Sequence, residues 1–434
     1  MSARTIIRKL VPVGLFDAVA PWGHLVEAVL WNCRYGFPAR GMKVVGVTGT
    51  NGKTTTSFLI HRMLHEAGYH VGLMTTVAWV IDGETQPQGQ QHMTNVPIPV
   101  LMKRLKKMRA EGVEWLVLET TSHALIQHRT WGVRYSVGVL TNITHEHLDY
   151  HKTFERYVAA KQLLFKRVQR NRRGLQTGIA NADDPNGASF AALTQNSVLY
   201  GVEAGQVRAA NIRMSADGIS YEVQADGETY HIASHLPGSF NVYNTLAALC
   251  VGRVLGLKRE QIEQGITALE SVQGRMQQLK AGQPFQIIID YAHTPDALQN
   301  VLTSLQATGK GRRILVFGAT GDRDKTKRPV MGEVAGKLAD RIFLTDDETY
   351  TEDGDVIRKA VYEGIKTAEA EDKTTVIADR REAIAAALKE AREGDVVVLT
   401  GIGHQQYRMM DGKEMAWSEA DVATEALTST AKSR

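Results

Sequence analysis

The sequence predicts an α/β protein with two sheet domains: a central, mostly parallel sheet of the P-loop type with a small antiparallel insertion, then a Rossmann-like C-terminal domain. Three observations predict it. Short β-rich runs alternate with helical stretches, the rhythm of βαβ units. A glycine-rich loop joins the first such strand to its helix, and a second strand–helix series restarts at Phe285.

Composition admits this architecture. At 434 residues, 43% apolar and 23% charged, the chain can bury two or three separate cores. The net charge of +4 mixes both signs without a long Lys/Arg run, so anionic small molecules are expected as partners and nucleic acid is not. Cys33 and Cys250 lack CxxC spacing, which argues against a disulfide framework or zinc site and fits a reducing cytoplasm.

Residues 1–41 are expected to form a short helical segment. Thr5–Leu15 and Leu25–Trp31 are largely apolar, with Arg4, Arg8, Lys9, Arg34 and Arg40 in or beside them. Asp17, Pro21, His24 and Glu27 interrupt the stretch before it reaches the roughly 18 residues of a membrane span, and no small-residue cleavage site marks a secretory signal. Two readings stay open: a helical pair packed on the body, or a basic amphipathic segment in weak contact with the cytoplasmic membrane surface.

The central domain, 42–276, takes Lys43–Thr48, Trp115–Glu119 and Ser136–Thr141 as buried strands and Thr54–Ala67 and Phe154–Val168 as helices. Alternation over Gln206–Ser234, with turns at Asp217-Gly218 and Asp226-Gly227, predicts the antiparallel insertion, and a helix follows from about Asn241 to Leu255. The C-terminal domain, 277–434, follows a linker near Gly274–Gly282. Its predicted strands are Phe285–Asp290, Arg313–Phe317, Arg341–Thr345, Thr374–Ile377 and Asp395–Thr400, with helices between.

Gly46-Val-Thr-Gly49-Thr50-Asn51-Gly52-Lys53-Thr54-Thr55-Thr56 lies between a predicted strand and a predicted helix, as a phosphate loop requires. Glycines turn backbone N–H groups inward, the helix N-terminus adds positive potential, Lys53 neutralises phosphate and Thr54 offers a hydroxyl to Mg²⁺. The spacing departs by one residue from GxxxxGK[ST]. Such a loop alone does not choose between a switch, a motor, a kinase and a ligase.

Two further runs end strands: Glu119-Thr-Thr-Ser122-His123 and Asn142-Ile-Thr-His145-Glu146-His147-Leu-Asp149-Tyr-His151. Ligands of an open parallel sheet bind at the carboxyl ends of its strands, so these residues should meet beside the loop. Hard oxygen donors there suit Mg²⁺. The histidines by themselves are equally compatible with a zinc-like cluster or a surface.

The run Thr48–Thr56 resembles the TGTNGKTT loop of the Mur ligases and their relatives, the folylpolyglutamate and cyanophycin synthetases. Further matches extend from Met42 to Tyr407 and resemble the branch that adds the third residue of the peptidoglycan stem peptide. The resemblance implies an ATP-dependent, ADP-forming amide ligase of the cytoplasm. Gly49, Thr50, Asn51, Gly52, Lys53, Thr54 and Thr55 would hold ATP; two Mg²⁺ ions would be held by Thr54, Glu119, His147 and Lys161. Lys161, in an AAKxxLF-like run, would be carbamylated by CO₂ and so become a carboxylate-like ligand. Asn244 of GSFNVYN would meet adenine, Arg275 of the Gly274-Arg275 pair the phosphates, and Asp290 of DYAHTPD the ribose. Lys53, Glu119, His147, Lys161 and Arg275 are thus the catalytic candidates. His293 and His404 are candidates for taking the proton from the attacking amine, and the residues do not choose between them.

For the acceptor, a muramoyl-dipeptide, the resemblance implies Thr94, Ser122, Gln127 and Arg129, with Asn95 standing where the family has a second threonine. Arg323, in GDRDKTKRP, would grip the carboxylate of the incoming amino acid. Two departures follow. Asp347-Glu348-Thr349-Tyr350 replaces the DNPR of diaminopimelate-adding enzymes, and Gly401-Ile-Gly-His-Gln405 replaces GKGHE. The expected amino acid therefore lacks a distal carboxylate, a basic one such as lysine or ornithine being attracted to Glu348. Tripeptide synthases carry a UDP-binding domain of roughly a hundred residues ahead of the loop strand, against about forty residues here. The acceptor is expected to lack UDP, to be held over less of its length, or to be lipid-linked. A monomer is expected. The competing expectations are a family relative acting on another acceptor, of folylpolyglutamate type or lipid-linked, and a non-catalytic NTP-binding protein.

Overall fold

The computed structural model describes residues 13–87, 94–144, 146–215, 217–308 and 311–432; Arg4, Arg8, Lys9 and His145 lie outside the described residues. Most of the Thr5–Leu15 run also lies outside the described residues, and among them helix Val13–Arg34 contains the expected Leu25–Trp31 stretch. Its Asn32 is buried and donates from Nδ2 to the Trp131 carbonyl at 3.0 Å, tying the helix to the body. No helix among the described residues is long and apolar enough to cross a membrane.

The first sheet comprises Lys43–Thr48 (β1), Val71–Met74 (β2), Trp79–Ile81 (β3), Glu84–Thr85 (β4), Trp115–Glu119 (β5), Tyr135–Leu140 (β6), Thr177–Asn181 (β7), Asn196–Gly201 (β8), Val207–Ser215 (β9), Gly218–Ala225 (β10) and Glu228–Ser234 (β11). Their order is β11-β10-β9-β8-β7-β6-β1-β5-β2-β3-β4. β2, β5, β1, β6, β7 and β8 run parallel. β1, β2, β5 and β6 read as mainly apolar runs because helices cover both faces there. Val45 and Val47 pack with helices Lys53–Glu66 and Phe240–Val254, whereas Val44 packs with Ile98–Ala110 and Phe154–Arg170. The expected antiparallel meander is β9-β10-β11, and it is continuous with the parallel strands. β8 pairs with β9 at Tyr200–Val207 and Gly201–Arg208, so the hairpins prolong the same sheet.

The second sheet comprises Gln277–Gln278 (β12), Gln286–Asp290 (β13), Arg313–Phe317 (β14), Arg341–Leu344 (β15), Thr374–Val376 (β16) and Val396–Thr400 (β17), in the order β12-β13-β17-β14-β15-β16. β13 to β17 are parallel and lie within two residues of the predicted strands. The edge strand β12 and the hairpin of Tyr407–Met410 (β18) with Lys413–Ala416 (β19) were not foreseen, since each is too short to show alternation. The chain passes from one core to the other between Val272 and Met276.

The last helix, Glu419–Lys432, is fastened by an ion pair between Arg380 and Glu419, both 0% exposed. Arg380 also donates from Nη2 to the Thr400 carbonyl at 2.7 Å, and Trp417 Nε1 donates to Glu419 at 2.7 Å. Removing one partner strands the other charge in the interior. Arg380→Ala should therefore destabilise the chain by about 3–5 kcal/mol in urea denaturation, more than an exposed pair such as Arg62–Glu66 could account for.

Candidate active site

The phosphate loop leaves β1 and enters the helix Lys53–Glu66 through Gly52, whose φ of 80° is left-handed. Only glycine fits there: a Cβ would lie 2.3 Å from Asn244 Oδ1. The loop is held from three sides. Asn51 N donates to Asn142 Oδ1 at 2.9 Å, Thr141 Oγ1 donates to the Asn51 carbonyl at 2.6 Å, and Thr50 Oγ1 lies 3.0 Å from the Tyr157 hydroxyl. Thr55 is buried in the first turn of the helix. Asn244 reaches the loop's flank, accepting from Thr56 Oγ1 at 3.2 Å.

Two lysines serve the same loop. Lys53 Nζ donates to the Thr50 carbonyl and Lys161 Nζ to the Gly49 carbonyl, each at 2.6 Å. Burial lowers the pKa of Lys53, against the attraction of Glu119 and Glu146. Burial drives Lys161 well below the usual lysine value, and the neighbouring Lys53 charge adds to the effect. Lys161 is 2% exposed and lies 4.6 Å from the centre of the Tyr157 ring.

Glu119 ends β5 beside the loop. It accepts from Thr54 Oγ1 at 3.0 Å, from Thr76 N at 3.1 Å and from Thr76 Oγ1 at 3.3 Å. His147 has a left-handed φ of 57° and pairs with Glu146 at 3.6 Å. Burial lowers its pKa to about 4, so its imidazole is neutral near pH 7 and free to donate a lone pair. Among the described residues no three His, Cys, Asp or Glu side chains converge as a metal cage. Mg²⁺ needs none: it takes one or two protein oxygens and completes its shell with phosphates and water. The touching Thr54 hydroxyl and Glu119 carboxylate fit that requirement.

The second core closes over the loop. Arg275 Nη2 donates to Thr54 Oγ1 at 3.3 Å, its Nε is buried without a partner, and its guanidinium lies over Tyr291. Asn51 Nδ2 donates to Asp296 Oδ2 at 2.6 Å. Both oxygens of Asp290 accept backbone N–H groups, of Met276 at 2.7 Å and Ala292 at 2.8 Å, so it also shapes the junction. Glu146 faces His293 at 3.7 Å. Burial alone would raise the Glu146 pKa, but His293, His147 and Lys53 hold it below the usual carboxylate range.

The expected acceptor residues form one connected wall. Thr94 Oγ1 lies 2.6 Å from Thr76 Oγ1, beside Glu119. Asn95 donates to the Glu119 carbonyl at 2.8 Å and accepts from Thr121 N at 2.9 Å, while Arg129 Nη1 donates to the Asn95 carbonyl at 2.9 Å. Asn95 is thus 5% exposed and braces the turn after β5. Ser122, also buried, meets His151 Nε2 at 2.9 Å; Gln127 donates to Tyr150, leaving its buried Oε1 unpartnered.

The other group gathers at the carboxyl ends of the second sheet. Arg323 lies 5.3 Å over the Tyr350 ring. Glu348 accepts from Met409 N at 3.2 Å and Gln405 Nε2 at 3.4 Å. Asp347 is 3% exposed with Oδ2 unpartnered, and Gly401, φ 107°, has no room for a Cβ against it. Burial raises the pKa of both carboxylates, and Asp347 raises Glu348 further. Lys327 spans the two groups: it donates to the His293 carbonyl at 2.8 Å and feels Glu146 on one side and Asp347 on the other. Glu146, Asp296 and Lys327 carry no role in the sequence reading, although each lies inside a quoted motif.

The model of the Mur ligase middle domain matches residues 47–252, and that of the Mur ligase glutamate ligase domain matches residues 274–403. A UDP-N-acetylmuramoyl-L-alanyl-D-glutamate–2,6-diaminopimelate ligase of Bacillus velezensis is 38% identical over 430 residues, 98% of this chain and 86% of that one. A solved ligase of the same name is 30% identical with a TM-score of 0.63, over 90% of this chain and 79% of that one. A folylpolyglutamate synthase of Mycobacterium tuberculosis is 16% identical and shares the fold, with a TM-score of 0.74 over 94% of this chain and 95% of that one.

Gly52→Ala should weaken ATP binding about tenfold or more in calorimetric titration while leaving the thermal midpoint nearly unchanged, because strain of roughly 1–3 kcal/mol falls on the loop rather than on a core.

Proposed function

This chain belongs to the Mur ligase family, ATP- and Mg²⁺-dependent amide ligases, and on that footing we propose that it adds the third residue to a muramoyl-dipeptide in peptidoglycan precursor synthesis. The supporting observation is the seam: Thr54 of the loop is touched from one side by Glu119 and from the other by Arg275, which arrives from the junction with the second core. A triphosphate in that position has a lysine below it, an arginine above it and a carboxylate for its metal.

In this mechanism the acceptor carboxylate attacks the γ-phosphorus, ADP leaves, and the amine of the amino acid displaces phosphate from the acyl phosphate. Thr54 and Glu119 would hold one Mg²⁺ and His147 with carbamylated Lys161 a second, the ions neutralising phosphate and carboxylate charge. Lys53 and Arg275 add fixed positive charge where the transferring phosphoryl group develops negative charge. Lys161 is suited to carbamylation because its depressed pKa supplies a neutral amine. Its nitrogen lone pair bonds to the carbon of CO₂ and the nitrogen gives one proton to solvent. Closure through Asn51–Asp296 excludes water that would hydrolyse the acyl phosphate. The enzyme acts as a cytoplasmic monomer, with weak membrane contact through its first helix.

The relatives named above are diaminopimelate ligases, but the amino-acid end of this site favours a substrate without a distal carboxylate. Burial raises the pKa of both Asp347 and Glu348, and Asp347 raises that of Glu348 further, a setting where a third carboxylate is repelled and an ammonium is attracted. Lysine or ornithine meets that requirement, with Arg323 on its α-carboxylate.

Phosphate release, with mass detection of the product, should appear with a muramoyl-dipeptide plus lysine or ornithine. Equal turnover of diaminopimelate would overturn the specificity, and no release with any amino acid would overturn the ligase itself. Lys161→Ala should lower turnover roughly a hundredfold. Lys161→Glu, which keeps a carboxylate there, should retain more; unaltered turnover in Lys161→Arg would rule out the carbamate.

A further inference from the structure

Helix Val13–Arg34 turns an apolar stripe to solvent. Trp22, Val26 and Leu30 follow one another at every fourth position and are 69%, 58% and 64% exposed, while Ala28 and Asn32 of the same helix are buried. Such a stripe normally faces a core, so its exposure asks for a partner. Exposed Arg34 continues the line at the helix end.

Beside it opens a cleft of about 660 Å³, lined by Leu25 of that helix and by Arg134, Lys166, Arg170, Arg172 and Arg173. The five cationic residues are exposed, and none forms an ion pair with a described residue. Arg167 is different: its guanidinium is engaged by Thr130 Oγ1 at 2.8 Å and the Leu125 carbonyl at 3.0 Å, fixing the cleft wall. Five uncompensated like charges in one concavity make a strongly positive surface.

A soluble anion or a nucleic acid would satisfy the cations and leave the stripe in water; an apolar protein surface would do the reverse. A bilayer with anionic headgroups offers both phosphate and hydrocarbon, the helix supplying the apolar stripe and the adjoining cleft the cations. We propose that helix Val13–Arg34 and the adjoining cleft are one docking face for an anionic membrane. Trp22, Val26 and Leu30 enter the interface, and Arg134, Lys166, Arg170, Arg172 and Arg173 lie on the headgroup phosphates. This deepens the weak membrane contact proposed above and is independent of the ligase chemistry.

The full chain should sediment with vesicles of phosphatidylcholine and phosphatidylglycerol, less so as salt rises, and not with phosphatidylcholine alone. The variant R170E/R172E/R173E should lose at least about tenfold in binding. W22S/L30S, which leaves the charge unchanged, should also lose binding severalfold. Equal sedimentation with neutral vesicles, no sedimentation, an unaffected charge variant, or capture of an RNA oligonucleotide tighter than of vesicles and lost in R170E/R172E/R173E would each overturn the proposal. Phosphate release without vesicles should be unchanged in both variants. A chain that turns over but ignores vesicles sinks this proposal alone; one that binds vesicles without turnover sinks the ligase reading alone.

Discussion

Two buried lysine amines aimed at adjacent carbonyls of a single loop are the constraint on which the site depends. Lys53 and Lys161 bond to Thr50 and Gly49, and neither has a carboxylate in direct contact. Burial lowers both pKa values, and the Lys53 charge lowers that of Lys161 further. The loop is consequently a place where negative charge is wanted, and the surrounding architecture supplies it from Glu119 behind the helix N-terminus and Glu146 across the cleft.

The second constraint is that two sheets must meet at their carboxyl ends. β1, β5 and β6 deliver the loop, Glu119 and the Asn142 turn; β13 and β17 deliver Asp290 and Gly401. The seam is polar, with Asn51 against Asp296, Thr54 against Arg275 and Glu146 against His293. Polar seams of single bonds can open and reclose, as a ligase that admits three substrates requires. Lys327 lies in this seam within the field of both Glu146 and Asp347.

Much of this was legible in the chain. Alternating strands and helices specify the two sheets, since parallel strands covered on both faces need continuous apolar runs, and the glycine loop marks where the chemistry gathers. The short elements were not legible, because the two-residue β12 and the four-residue β18 and β19 are set by partners distant in sequence. Roles inside the motifs were only partly legible. Asn95, Asp290 and Ser122 are held by local hydrogen bonds that a motif cannot reveal, and Glu146 is inconspicuous between histidines until the fold sets His293 opposite it. Asp296 and Lys327 matter through contacts across the seam, which no single stretch of sequence contains.

The Arg380–Glu419 pair has a bearing on how the molecule comes into being. Arg380 grips the Thr400 carbonyl, immediately before Gly401, and is itself held by Glu419 at the start of helix Glu419–Lys432. A nascent polypeptide cannot fasten that strand end until Glu419 has left the ribosome. The contacts that hold the glycine loop join residues 49 to 296 and can form sooner, so of the two regions the strand end before Gly401 is the later to be secured.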